Sequence, residues 1–193
     1  MNEREVAAAL GALDRRGFLR LAGAVAALGL TPSGCGSVPR ELAPPEGLEL
    51  RALSPRGYAT FRAAAMRLVG PRGAEAIADG RLDPAAAADT WVARLPGLRA
   101  ALGQGLWVLE FGVYPVVAKW RPFTSLTGPE QDAALQNLTQ SRWDLKRDLF
   151  KGMKSLAMLT FYAQPASRVL TGYPGPFDRD GIAGAMSDLP GPG

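Results

Sequence analysis

Any chemistry this chain performs has to run on carboxylates or on one thiol, because its 193 residues include no histidine and a single cysteine, Cys35. The missing imidazole removes Ser-His-Asp and Cys-His catalysis, the usual zinc and non-haem iron ligand sets and His-ligated haem. One thiol cannot close an internal disulfide, and no Cys-x-x-Cys-His is present to attach a c-type haem. Among the carboxylates, Glu110 lies between Trp107, Leu109 and Phe111 and is the one charged residue between Arg99 and Lys119. A carboxyl in apolar surroundings does acid or base work only if nothing neutralises it. Pairing to an arginine, or contact across an interface, is the reading these residue types favour over catalysis. Asp144 and Asp148 sit at helical offsets from Arg147 and Lys151 and read as a solvated ion network. Gly103-Gln104-Gly105 follows no strand and precedes no acidic residue at ribose distance, so it reads as helix with small residues where another helix comes close, not as a nucleotide loop. No catalytic residue, metal ligand or cofactor-binding motif is expected in this chain.

The elements around these residues begin with an address. Asp14-Arg15-Arg16-Gly17-Phe18-Leu19-Arg20 and the mild apolar run Leu21 to Leu30 have the form of a bacterial twin-arginine leader, with Arg15, Arg16, Phe18 and Leu19 as its signature. That route carries folded proteins, so the twin-arginine translocase is an expected partner and the cell envelope the expected destination. The apolar run is much shorter than the roughly 20 residues a membrane-spanning helix needs. Ser33-Gly34 before Cys35 resembles a lipoprotein processing site, though Pro32 stands where an aliphatic residue is usual. Lipidation of Cys35 and plain cleavage nearby both remain open, and a lipid there would attach the protein to a membrane. Removing residues 1 to 34 takes away four basic and three acidic residues, so the net charge falls from +4 to +3. The cations are spread along the chain without interleaved stacking aromatics, which argues against nucleic acid.

Residues 35 to 50, with Pro39, Pro44 and Pro45, read as a proline-rich tether. Residues 51 to 177 read as one all-α domain of about five helices, and residues 178 to 193 as a disordered tail. Ser54-Pro55 opens a first helix with Tyr58, Phe61, Ala65 and Leu68 on one face, and Gly70-Pro71-Arg72-Gly73 stops it. Asp83-Pro84 opens a second, which Pro96-Gly97 breaks. Leu98 to Val117 is the most apolar segment, with one stripe through Leu102, Leu106 and Leu109 and another through Trp107, Phe111 and Tyr114. It is expected to be covered on nearly all sides as the core helix, or to face a partner. Thr127-Gly128-Pro129-Glu130 is a capping box. A last helix from about Arg142 to Tyr162 turns apolar all round beyond Ser155 and ends at Gln164-Pro165.

Two helices apolar on every side ask for more cover than a domain of this size supplies, so part of this surface is expected to meet another protein. The candidate interface is Trp107, Glu110, Phe111 and Tyr114 with Phe161 and Tyr162, and the turn Tyr173, Pro174, Pro176 and Phe177.

The leader, Leu53-Ser54, Gly70-Pro71-Arg72-Gly73-Ala74, Lys151-Gly152-Met153-Lys154-Ser155-Leu156, Phe161-Tyr162-Ala163-Gln164-Pro165 and Thr171-Gly172-Tyr173-Pro174-Gly175-Pro176 carry a likeness over most of residues 50 to 177. The chain resembles the small third (gamma) subunit of gluconate dehydrogenase and of related flavin-linked sugar and alcohol dehydrogenases. That resemblance implies a non-catalytic helical subunit. Its partner would be a large FAD-bearing oxidoreductase of the glucose-methanol-choline type, which it helps to mature and for which it supplies the export leader. The alternative is a free-standing envelope lipoprotein with a binding or structural role, held by Cys35.

Overall fold

The computed structural model describes residues 38–112 and 121–172. Among them are seven α-helices and two short 3-10 turns and no strand, which makes the domain all-α as expected. The helices are α1 Pro55–Leu68, α2 Pro71–Ala78, α3 Pro84–Val92, α4 Pro96–Gly112, α5 Gly128–Gln140, α6 Asp144–Tyr162 and α7 Pro165–Thr171. The 3-10 turns are Arg40–Leu42 and Phe123–Ser125. The leader with Arg15, Arg16, Phe18 and Leu19, the Cys35 site, Tyr114, the Tyr173, Pro174, Pro176 and Phe177 turn and the tail lie outside the described residues.

Two helices more than expected arise from one piece of chemistry used twice. Proline has no N–H to leave unpaired in a first turn and a φ already set for helix, so it ends one helix and starts the next. Ser54 before Pro55 and Asp83 before Pro84 work this way: Ser54 Oγ accepts from Gly57 N at 3.0 Å, and Asp83 Oδ1 accepts from Ala86 N at 2.9 Å. Pro71 and Pro165, which the sequence pattern assigns to helix stops, open α2 and α7 by the same logic. Gly70 supplies the positive φ of 80° that reverses the chain before α2, a conformation costly to any residue with a side chain. Pro96 likewise opens α4, which starts earlier than the apolar pattern indicates. The capping box forms, with Thr127 N donating to Glu130 Oε2 at 2.8 Å.

The core helix is α1. It packs against α2, α3, α4, α5 and α6 and buries eight consecutive residues, Tyr58 to Ala65. Alanine makes this possible: Ala59, Ala63, Ala64 and Ala65 let neighbouring helices approach from several sides. Hydropathy alone puts the Leu98 to Val117 segment in this central place. Instead α4 turns Leu106, Leu109 and Glu110 inward and leaves Gly103, Gln104 and Trp107 facing out. Its close approach to a neighbour falls at Gly105, where a Cβ would lie 2.6 Å from Leu149 Cδ1 on α6.

Residues 38 to 50 are not a free tether where they are described. Leu42 is buried and Val38 and Leu50 pack against the core, with the Arg40–Leu42 turn lying on α1. The end of this segment is fastened by one carboxylate on α3. Asp89 Oδ2 accepts from Arg51 N at 2.8 Å, and Oδ1 accepts from Ala52 N at 2.8 Å and Leu53 N at 2.7 Å. Burial works to raise the Asp89 pKa, but the three backbone N–H groups and the Arg51 charge outweigh it and hold the carboxyl below the usual range.

A second polar cluster joins four elements. Tyr58 Oη donates to Asp83 Oδ2 at 2.6 Å and accepts from Arg62 Nη1 at 3.3 Å, Arg62 Nη2 donates to Ile77 O at 2.7 Å, and Asp83 N donates to Gln164 Oε1 at 2.9 Å. The cluster thus ties α1, α2, the cap of α3 and the cap of α7 together, with the buried Arg62 linked to Asp83 through a phenol. Burial, and then the Asp83 bond, push the Tyr58 phenol well above its ordinary range, with Arg62 opposing. On the other side of α1, Arg67 holds Asp132 of α5 in a two-pronged pair at 2.8 and 2.5 Å, which lowers the Asp132 pKa.

Candidate functional site

Glu110 is the residue for which the sequence leaves chemistry open, and the fold satisfies it. It is fully buried. Thr124 Oγ1 donates to Oε1 at 2.7 Å, Thr124 N to Oε2 at 3.2 Å and Thr60 Oγ1 to Oε2 at 3.1 Å, while Arg56 Nη1 stands 3.6 Å from Oε1. The expectation of an arginine pair therefore holds. Its place in the candidate interface needs correction, because the carboxylate points into the protein and is spent on α1 and on the turn at Phe123–Ser125. Such a group positions three pieces of backbone, which is a structural task.

Above Glu110 a small open cleft of about 110 Å³ lies between the start of α1 and α4, lined by Ser54, Arg56, Gly57, Trp107 and Phe111 among others. Trp107 and Phe111, one turn apart on α4, place their rings 5.6 Å apart at a tilt of 55°. The Arg56 guanidinium sits 5.6 Å from the Phe111 ring centre. Trp107 is 39% exposed, and Phe111 is half-buried. Arg56 is the member that sequence reasoning missed, because it lies far from Glu110 in the chain. The i, i+4 spacing of Arg56 and Thr60 was the signal that could have found it, since both project from one face of α1.

The other candidate face divides. Phe161 is buried, its ring close to Gly73 at the start of α2, so it belongs to the core and cannot reach a partner. Tyr162 packs edge-on against it at 5.2 Å and is 56% exposed. Leu159 and Val169 are also exposed, Val169 to 85%, although the sequence singles out neither as an interface residue. The sequence pattern does predict apolar residues on every side beyond Ser155, and Leu159 and Tyr162 are that outward side. Asp144 and Asp148 pair with Arg147 and Lys151 at the surface, as the spacing implies.

Among the described residues no group of His, Cys, Asp and Glu is arranged to hold a metal ion, and no helix is long and apolar enough to cross a membrane. The arrangement can thus bury a carboxylate, present an aromatic pair beside a cation, and expose apolar side chains. No family model, curated protein or solved structure matches the chain.

Proposed function

We propose that this chain is a non-catalytic accessory and escort subunit of an exported FAD-dependent sugar or alcohol dehydrogenase of the glucose-methanol-choline type. It binds the folded flavoprotein, assists its maturation and takes it through the twin-arginine translocase into the periplasm. The observation that carries this reading is the pairing of a leader for folded cargo with an exposed tryptophan, Trp107, on α4. An exposed tryptophan beside an arginine and a shallow cleft is the composition of an interface anchor. The resemblance to gluconate dehydrogenase small subunits supplies the kind of partner. FAD belongs to that partner, and this chain contributes no reacting group.

Twin-arginine replacement tests the escort role. Changing Arg15 and Arg16 to lysine is expected to hold both this chain and the flavoprotein in the cytoplasm. Normal export of the flavoprotein in that strain would refute shared travel. Incorporation of labelled fatty acid at Cys35, with a monomeric protein and no flavoprotein bound, would instead favour the envelope lipoprotein.

A further inference from the structure

We infer that residues 38–53 form a strap whose docking on α1 and α3 keeps the leader boundary out of reach of a processing peptidase, so that the leader is removed only when the strap peels away. The strap is held at its two ends by unlike fastenings. At its start Val38 packs against the core, Leu42 is buried in it, and the Arg40–Leu42 turn lies on α1. At its end Leu53 is buried, and Asp89 of α3 accepts from the N–H groups of Arg51, Ala52 and Leu53 at between 2.7 and 2.8 Å. Pro45 to Glu49, midway, are exposed. Apart from one 3-10 turn the strap belongs to no helix and to no sheet, so it can leave the domain without breaking either. Opening of this local kind costs only the contacts that are lost, far less than global unfolding.

The second ground is the length of chain available. Gly36 and Ser37 alone stand between Cys35 and Val38, and three residue steps span at most about 10 Å when fully extended. A peptidase takes its substrate chain extended on both sides of the bond it cuts, and backbone held by packing and hydrogen bonds resists cleavage until it opens. Three residues, Cys35, Gly36 and Ser37, separate the expected boundary after Gly34 from the docked Val38. A leader for folded cargo makes this shortage matter, because the strap is already docked when the chain reaches the membrane. A leader on an unfolded chain would meet the peptidase before any strap existed. The inference rests on that reading of the leader and is independent of the flavoprotein.

The test is a pulse-chase of the full chain in a bacterium with a twin-arginine route, with loss of the leader followed by mass. Inserting about eight Gly and Ser residues between Ser37 and Val38 adds reach and leaves every contact of the strap in place, and it is expected to speed leader removal at least about tenfold. Asp89→Asn weakens one fastening and is expected to speed removal about threefold or more. Combined with the insertion it is expected to add nothing, because a docked strap then no longer limits reach. Gly73→Ala, which crowds Val69 and Phe161 and no strap residue, controls for general loss of stability and is expected to leave the rate unchanged. An unaltered rate in the insertion variant, equal acceleration by Gly73→Ala and Asp89→Asn, or a leader retained in every variant would overturn the inference. Accelerated removal by the insertion in a chain that captures no flavoprotein would uphold the strap and sink the escort role.

Discussion

Thr124 grips Glu110 with both of its donors, the side-chain Oγ1 at 2.7 Å on one carboxylate oxygen and the backbone N at 3.2 Å on the other. With Thr60 on the second oxygen, one buried carboxylate fastens α4 to the core helix and to the turn that leads into α5. The residue best placed by the sequence for acid and base work is therefore a clamp.

Removing that clamp strands the buried N–H and O–H of Thr124 and takes the Glu110 charge away from Arg56, while the Thr60 hydroxyl keeps Arg56 O as acceptor at 2.8 Å. Glu110→Ala is expected to lower unfolding stability by about 2–4 kcal/mol, and Glu110→Gln, which keeps one acceptor, by about half as much. Urea denaturation read by circular dichroism measures both. A Glu110→Gln protein of full stability that had lost a measurable turnover would place Glu110 in catalysis.

Asp89 gives a pH signature. Its carboxyl is held below its ordinary value in the folded protein, so the folded state binds its proton less readily than the unfolded chain does. The stabilisation is present above the unfolded carboxylate value of about 3.9 and is lost as pH falls through the lower folded value. Asp89→Asn is expected to destabilise the domain at neutral pH and to flatten the acid limb of its stability curve. Midpoints measured between about pH 7 and pH 3 check this, and parallel curves for the two proteins would contradict it.

Two helical glycines predict opposite signs. A Cβ at Gly103 meets nothing within 4 Å, whereas one at Gly73 would stand 2.6 Å from Val69 Cγ2 and 3.1 Å from the Phe161 ring. Gly103→Ala is expected to stabilise by about 0.5–1 kcal/mol from helix propensity. Gly73→Ala is expected to destabilise despite the same gain, because neither a β-branched valine nor a buried ring can swing aside. Thermal midpoints of the two variants moving in the same direction would contradict the packing described at α2.

The buried phenol offers a fourth comparison. Tyr58→Phe keeps the volume but removes the group that passes the Arg62 charge to Asp83, and it is expected to cost about 2–4 kcal/mol in urea unfolding. A loss below about 1 kcal/mol would show that Arg62 finds another partner at no cost.

Sequence range decides which of these features were legible beforehand. Local signals are legible: the Ser54 and Asp83 caps, the Thr127 to Glu130 box and the surface pairs of α6 all act within four residues. The all-α class came from the same periodicity. Two features rest on long-range effects. Hydrophobicity points to the Leu98 to Val117 segment as the core helix or as one that faces a partner; over its described part it has one buried side and an exposed Trp107, while α1 is packed from many sides because alanine, only weakly apolar, is small. Residues 38 to 50 read as tether from their prolines, and nothing nearby in sequence announces that Asp89 collects the next three N–H groups of the chain. At the candidate site, Trp107 is exposed, while Phe161 lies in the core because α2, which the sequence pattern does not separate from α1, covers it.

Trp107 carries the escort reading and can be separated from folding. Exposed as it is, Trp107→Ala is expected to change stability by less than about 1 kcal/mol, whereas loss of an aromatic anchor from an interface typically costs about 2 kcal/mol or more, roughly thirtyfold in affinity.

The decisive experiment is to tag the C-terminus of the full chain, recover it from the cell envelope, and record the flavin absorbance and stoichiometry of whatever protein accompanies it, for wild type and Trp107→Ala side by side. A yellow flavoprotein bound in fixed ratio to the wild type and largely lost from the variant is the expected result. A colourless wild-type protein recovered alone, or a flavoprotein retained undiminished by Trp107→Ala, would contradict the escort role.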